Sequence, residues 1–386
     1  MSLDHNKKPV LTIILPCLNE ENSISFCLDQ IYSLRNKLPS FELIVVDNDS
    51  DDNSYQIIKN KSFSFSEIKL IKEAKRGYGS AYQAGFALAQ GSYVFMTDAD
   101  GSYDFFEIVN FIKELDNGAD LVMGNRFSGG MKKGSMPFLH RYFGNPILSY
   151  LVRLFFKVKI KDVHCGSRAI TLESYKKLKL QTSGMEFASE MIIKASRNKL
   201  KIKELAISYN PRLGASKLNS FRDGWRHLRF ILLYSPLLLF LLPGLIFFIT
   251  GLSLMFLFYF FDPSFFGLKF DFHPFFIFSA LTLIGYQLII FAAFSKVYAI
   301  NHLGDKDLRI EKMFKKLTIE KIAPLGILVA LIALTIFIFI FLNWIRNDAG
   351  LFNQVKNSLV ALTLMVIGVE TFFSSFIFSI IGIEKK

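Results

Sequence analysis

Apolar and polar positions divide the chain into two halves that suit different solvents. Up to about residue 218, short apolar runs alternate with helical periodicities; beyond about residue 230, long runs carry almost no charge. In the first half, Val10 to Leu15 is an apolar, β-branched run stopped by Pro16. Cys17-Leu18-Asn19-Glu20-Glu21-Asn22 follows, and then Ile24, Leu28 and Ile31 recur at helical spacing. The pattern reads as strand, polar loop and helix. Residues 41–46 repeat it and end in Asp47-Asn48-Asp49-Ser50-Asp51-Asp52, a polar turn able to cap a helix over 55–59. Residues 68–71, 93–96 and 121–123 predict further strands, with a helix over 80–90 behind Lys75-Arg76-Gly77-Tyr78-Gly79. Strands alternating with helices predict an α/β domain built on a mostly parallel, doubly wound sheet.

Such sheets bind ligands beyond the carboxyl ends of their strands. That rule puts Pro16 to Glu20, Asp47 and the run Asp98-Ala99-Asp100-Gly101 on one rim. Two carboxylates separated by one residue at a strand end raise each other's pKa unless a cation or hydrogen-bond donors neutralise them. A divalent ion, Mg²⁺ or Mn²⁺, carrying a phosphate would do so; the alternative is a solvated acidic turn. Acidic strand ends suit a base, a ribose hydroxyl and a metal. No GxxxxGK[ST] occurs, and Gly77-x-Gly79 is too short for a Rossmann fingerprint.

Further along, Ser128-Gly129-Gly130-Met131-Lys132-Lys133-Gly134 reads as a cationic loop or an ordinary linker. Residues 137–156 are apolar with His140, Arg141 and Arg153 interspersed, a composition that fits a helix at a membrane interface. Cys165 has no partnered base and reads as a packed thiol; His164 reads as a hydrogen-bonding turn residue. Glu186 and Glu190 lie four apart, so either could reach a sugar hydroxyl or pair with Lys194 or Arg197. Residues 209–218 form a basic loop.

Leu15-Pro16-Cys17-Leu18-Asn19-Glu20, Val45-Val46-Asp47, Arg76-Gly77-Tyr78-Gly79, Asp98-Ala99-Asp100-Gly101 and Gly124-Asn125-Arg126-Phe127 occur in an order that resembles family 2 glycosyltransferases with the GT-A fold. The likeness is to the branch of dolichyl-phosphate mannose synthases and polyprenyl-phosphate glucosyltransferases, and runs from about Val10 to Leu218. The resemblance implies a nucleotide-sugar donor held by Pro16, Leu18, Glu20, Asp47, Gly77 and Ala99, with Asp98 and Asp100 on ribose, metal and diphosphate. It implies that Arg126, Arg141 and Asn145 bind the acceptor phosphate, and that Glu186 and Glu190 lie near the sugar. Arg212 and Lys217, in a segment like the family's Arg-x-x-Gly-x-Ser-Lys-Leu, would offset charge on the leaving nucleotide. The catalytic set is then Asp100, Arg126, Arg212 and Lys217. In mannose synthases a Gln two residues after the second Asp contacts the metal; here that residue is Ser102, a weaker ligand, and Asp104 could help by way of water.

The second half changes the class of protein. Phenylalanine supplies 42 of 386 positions, and four apolar segments, over 236–261, 274–299, 322–345 and 358–383, are each long enough to span a bilayer. Before them, over 219–235, Phe221, Trp225, Leu228 and Leu232 form a stripe beside Arg222, Arg226 and Arg229, an amphipathic juxtamembrane helix. The formal net charge of +12 comes without a zinc-finger or RNA-binding motif, so anionic lipid, not nucleic acid, is the expected partner. Lys and Arg concentrate between residues 296 and 321. The positive-inside rule therefore puts that loop, both termini and the 1–218 domain in the cytoplasm of an integral membrane protein. Three cysteines without a CxxC fit a reducing compartment, and the polar first residues contain no signal peptide. The 236–386 domain could anchor, form a homo-oligomer or help move product; Glu370 is the acidic residue well inside a span.

Together with the membrane half, the resemblance implies an inverting transferase that moves a hexose from a UDP-glucose or GDP-mannose type donor to undecaprenyl or dolichyl phosphate. The alternatives are a processive polysaccharide synthase and a non-catalytic membrane scaffold with a degenerate nucleotide-binding domain. Processive synthases carry Gln-x-x-Arg-Trp, whereas both tryptophans here follow other residues, Gly224 and Asn343.

Overall fold

The computed structural model describes residues 8–214, 220–235, 237–261, 264–265, 268–269, 271–302, 319–346 and 354–381. The chain forms two compact units, Met1–Ile231 and Leu232–Lys386.

The first unit is a seven-stranded sheet with helices on both faces. Its strands are β1 (Leu11–Cys17), β2 (Phe41–Asp47), β3 (Ile68–Lys72), β4 (Tyr93–Met96), β5 (Leu121–Asn125), β6 (Arg168–Thr171) and β7 (Ile202–Ala206), in the order β3-β2-β1-β4-β6-β5-β7. All neighbours are parallel except those of β6, which runs antiparallel between β4 and β5. The helices are α1 (Ile24–Ser33), α2 (Ser54–Ser62), α3 (Tyr78–Leu88), α4 (Ile108–Asp116), α5 (Arg126–Gly129), α6 (Asn145–Phe156), α7 (Leu172–Leu178), α8 (Phe187–Arg197) and α9 (Ser220–Leu233). The period of two sorts each strand between two cores. Leu11, Ile13 and Leu15 face one core with α1 and α4, while Ile14, Ile44, Val46 and Met96 face the other with α3, α6 and α8.

Pro16 does not stop β1; it lies inside it, paired in register with Val46. Asn48 N donates to Cys17 O and Thr97 N donates to Ile14 O, so odd positions of β1 face β2 and even positions face β4. The β4 ladder ends at Ile14–Met96. Pro16 therefore lacks its N–H where no acceptor waits, and the strand continues to deliver Leu18 to Glu20 to the rim.

Residues 137–156 are helical in two pieces, a wide turn over His140–Gly144 and then α6. Leu148 and Val152 of α6 are buried, while Phe138, Leu139, Tyr142, Phe143, Ile147, Tyr150 and Leu154 are all more than half exposed. Of the stripe predicted on α9, the Phe221 side chain lies outside the described residues, and the others part company. His227, Phe230 and Ile231 are buried, Leu228 packs on the core beside α8, and Trp225 is exposed.

The second unit contains α10 (Leu242–Phe260), α11 (His273–His302), α12 (Ile319–Arg346) and α13 (Val355–Ile381). Four helices, over Leu239–Phe260, His273–Tyr298, Ile319–Arg346 and Val355–Ile381, are long and apolar enough to cross a membrane. Small residues set their contacts: Gly326 and Gly368 approach each other's backbones so closely that a Cβ on either would meet main-chain atoms at 2.6 Å. Ser279 and Thr363 hydroxyls hydrogen-bond across α11 and α13 at 2.7 Å. The carboxyl of Glu370 keeps one oxygen, Oε2, without a hydrogen-bond partner. Residues 303–318, which carry most of the basic loop, lie outside the described residues, as does Lys217.

Candidate active site

The rim is assembled by the ends of four parallel strands and the start of the antiparallel one. After β1, Glu20 N donates to Ser54 Oγ and Asn19 N to Ser50 Oγ, so the first two loops are laced together. Asp47, at the end of β2, is buried with Oδ1 unpartnered. The next residue, Asn48, was not singled out by its sequence context. Its Nδ2 donates to the carbonyls of Glu73 and Lys75, and its Oδ1 accepts Gly77 N at 2.7 Å. Gly77 has φ +154°, and a Cβ there would meet Ser183 O at 2.3 Å, so its glycine is required by a close approach of two backbones.

Beyond β4, Asp98 and Asp100 are handled differently. Asp100 Oδ1 accepts both the N–H and the hydroxyl of Ser102, which is itself fully buried. Ser102 is thus a tether that orients Asp100, leaving Oδ2 facing Arg212 at 3.8 Å. Asp104 caps the short helix Phe105–Glu107 by accepting Phe106 N, so it is already engaged. Asp98 has no hydrogen bond or ion pair among the described residues. Burial, and then the neighbouring Asp100 charge, push its carboxyl up to about 7, against the pull of Arg126, Arg168 and Arg212. Between the two, the Ala99 carbonyl accepts the Ser23 hydroxyl at 2.8 Å and is fixed to the start of α1.

Arg212 arrives from the far side of the sequence. The strand-like pass Ile207 to Leu213 crosses the acidic turn, with Asn210 N donating to Ser102 O and Leu213 N to Asp100 O. Arg212 Nη2 then pairs with Glu20 at 3.0 Å, and its Nε is buried without a partner. Glu20, Asp100 and Arg212, nearly two hundred positions apart at the extremes, form one cluster.

The flank of the rim is closed. Arg126 is buried, and its Nε and Nη2 grip Asp162 at 2.7 and 2.8 Å, while Asp162 also accepts Arg126 N. The two-pronged edge expected to hold a phosphate is committed to Asp162, which leaves Nη1. Glu190 is likewise closed. Its carboxylate has no exposed surface, pairs with Lys194 at 2.7 Å and accepts from Gln181 N, Thr182 N and the Thr182 hydroxyl. Burial alone would raise its pKa, but these partners outweigh burial and hold it below the usual range. The expectation that Glu190 reaches a sugar gives way to a clamp on the 181–182 loop. Glu186, one turn earlier, keeps Oε2 buried without a partner. Arg141 and Asn145 lie on the half-exposed helical segment, with Arg141 over the Tyr142 ring and Asn145 against Met136 Sδ.

Between rim and flank, the turn Asp162 to Ser167 brings Gly166 so close to Asp98 that a Cβ would meet Oδ2 at 2.4 Å. Tyr103, overlooked in the sequence, accepts Gly166 N at 2.8 Å. Arg168 is fully buried and donates to the carbonyls of Val163, Cys165 and Ala188. Cys17, Cys27 and Cys165 are free and buried, and burial pushes each thiol up to about 12, so none is a nucleophile.

Comparison with known proteins agrees with this architecture. Residues 12–179 match the model of glycosyl transferase family 2, and residues 293–382 match that of the glycosyltransferase family 2 C-terminal transmembrane region. The chain is 32% identical over 383 residues to the low-salt glycan biosynthesis hexosyltransferase Agl6 of Haloferax volcanii, covering 99% of this chain and 91% of that protein. It is 27% identical over 214 residues to a dolichyl-phosphate hexose transferase of the same organism, covering 55% of this chain and 89% of that one. It is 29% identical over 223 residues to the dolichyl-phosphate beta-glucosyltransferase ALG5C of Trichomonas vaginalis, covering 54% and 65%. With a mostly parallel sheet whose acidic rim stands at its strand ends and four apolar helices later in the sequence, the chain belongs to glycosyltransferase family 2 and is an integral membrane glycosyltransferase.

Proposed function

We propose that this enzyme transfers a hexose from a nucleotide sugar to a polyprenyl phosphate at the cytoplasmic face of its membrane, with inversion at the anomeric carbon. The observation that carries the reading is the charge cluster on one rim: Asp98 without a hydrogen bond or ion pair among the described residues, Asp100 turned toward Arg212, and Arg212 bridging to Glu20. Relatives named as dolichyl-phosphate transferases support the acceptor class.

Pro16, Leu18, Glu20, Asp47, Gly77 and Ala99 line the donor side. The oxygen donors of Asp98 and Asp100 fit a divalent cation, because a half-buried carboxylate with no hydrogen-bond partner among the described residues, beside a second one, is stabilised by a hard positive ion. Among the described residues no group of three or more His, Cys, Asp or Glu side chains is arranged around a metal, so two carboxylates plus the donor's phosphates are the expected ligand set. When bound, Mg²⁺ or Mn²⁺ supplies charge neutralisation on the diphosphate.

An acceptor phosphate monoester has its second pKa at about 6, so at neutral pH it is largely dianionic and needs no general base. Burial, then His227, Arg168 and Arg126, hold His164 well below its ordinary pKa, so it carries no charge to bind the acceptor phosphate at neutral pH. The acceptor oxygen attacks the anomeric carbon, the bond to the diphosphate breaks, and the nucleoside diphosphate leaves. Arg212, released from Glu20 and Asp100, and Lys217 offset the charge left behind. Arg141, Asn145 and the remaining Nη1 of Arg126 meet the acceptor phosphate, and Glu186 meets the sugar. The exposed apolar face of residues 138–154 lies on the lipid from which the acceptor arrives.

Labelled UDP-glucose and GDP-mannose, each offered with undecaprenyl and dolichyl phosphate, test the reading. Organic-extractable label that Asp100→Asn abolishes is the expected result; water-soluble polymer, or transfer unaffected by the substitution, would overturn it.

A further inference from the structure

One polar chain in the first unit is used by none of these steps. His164 sits in the turn Asp162 to Ser167, Ser189 on α8 and His227 on α9. His164 Nε2 lies 3.2 Å from Ser189 Oγ, and Ser189 Oγ lies 3.0 Å from His227 Nδ1. The two imidazoles meet edge to face at 4.3 Å. Ser189 is fully buried and His227 is buried, so neither is a solvated surface group.

The proton inventory restricts what this chain can be. A serine hydroxyl carries one hydrogen, so it donates to one ring and accepts an N–H from the other. Whichever direction holds, the other nitrogen of His164, Nδ1, is buried without a hydrogen-bond partner among the described residues. A buried polar group left unmet opposes folding, so His164 does not owe this position to its own hydrogen-bonding balance. The position is imposed from α8 and α9.

What that position controls is the turn. Val163 N donates to Ser149 Oγ on α6, Arg168 holds the carbonyls of Val163 and Cys165 from beneath, and Gly166 N donates to Tyr103. Gly166 is the residue pressed against the Asp98 carboxylate. His164 ties this turn to α9, the helix whose last residues lead into the membrane unit, through the Ser189 hydroxyl and its edge-to-face contact with His227.

We propose that Ser189 and His227 are positioning residues that hold His164, and through it the Val163 to Gly166 turn, against Asp98, so that docking of α9 sets the geometry of the donor site. The link to the donor site rests on the function proposed above; the link between α9 and the turn does not.

The two are tested separately on the full-length protein in detergent. Amide hydrogen exchange of residues 162–167, without ligand, is expected to speed up at least about tenfold in Ser189→Ala and His227→Phe. His227→Asn, whose amide can occupy the place of Nδ1, should restore it, with thermal unfolding of all three near wild type. Exchange unchanged in Ser189→Ala, or His227→Asn as fast as His227→Phe, would overturn the proposal. If His227→Phe does not fold, Ser189→Ala and His227→Asn alone decide it by the same readout. With transfer to polyprenyl phosphate as a second readout, Ser189→Ala should raise the donor KM about tenfold and leave the acceptor KM within about twofold. The reverse split would exclude the donor site as the place of action. A wild-type protein that transfers no sugar, with the exchange result intact, would sink the function and leave the α9 linkage standing.

Discussion

The rim and the flank of this sheet are built from the same residue types and behave in opposite ways. On the flank, Arg126 with Asp162 and Glu190 with Lys194 are closed pairs whose carboxylates are fully buried and held by several hydrogen bonds. On the rim, among the described residues, Asp98 has no hydrogen bond or ion pair, Asp47 and Arg212 each keep a buried atom unmet, and Arg212 pairs with Glu20 at 3.0 Å. A buried charge is tolerated when its partner folds with it; when the partner is absent, the group is either destabilising or kept for a ligand. The comparison therefore separates charges that maintain the fold from charges that serve the reaction.

Breaking the flank should have the largest effect. Asp162→Ala leaves the Arg126 guanidinium buried and uncompensated, and should cost about 3–5 kcal/mol of stability, read from denaturant unfolding of the full chain in detergent. A melt unchanged from wild type would mean that Arg126 finds another partner. On the rim the expected loss is in rate, not stability: Asp100→Asn should lower transfer by about 100-fold or more while the unfolding midpoint holds. Parallel losses of both would erase the distinction between the two regions.

A finer test uses pH. Glu190 is held below its ordinary 4.5 by Lys194 and the Gln181–Thr182 loop, so its stabilisation is fully present above 4.5 and is lost as pH falls through the lower folded value. Acid unfolding should therefore steepen below pH 4.5 in the wild type, and Glu190→Gln should flatten that part of the curve while lowering stability at pH 7. A Gln variant with the same acid profile would show that the clamp is not the sensitive group. The smallest effect belongs to Asp98→Asn. Because the native carboxylate has no partner, its neutralisation should leave stability at pH 7 unchanged or raise it by up to about 1 kcal/mol, although transfer is lost. A destabilised Asn variant would reveal a structural tie to Asp98.

The same contrast explains what could be read in advance. The apolar runs gave five of the six parallel strands, β1 to β5, within a few residues, since a buried strand has little freedom in its composition, whereas β7, whose Ile202 to Ala206 alternates with Lys203 and Glu204, was not read as a strand. β6 was not legible: four residues, Arg168 to Thr171, that begin with a buried arginine, resemble no strand until β4 and β5 flank them. Pro16 read as a stop because a missing N–H matters only on the side where a neighbour accepts, and that side is set by register.

By itself the sequence determined the alternation of strand and helix, the acidic rim, and a second half apolar enough to span a bilayer, because these follow from local periodicity and transfer free energy. It did not determine which charge meets which. Glu186 and Glu190 are equivalent on a helical wheel, yet one is clamped by Lys194 and Thr182 and the other keeps an oxygen unmet. Arg126 and Arg212 are equally basic, yet Asp162 takes the first and Glu20 with Asp100 the second. Charge pairing acts over a few ångströms between residues as many as 192 positions apart, and only the tertiary structure brings such residues within that range.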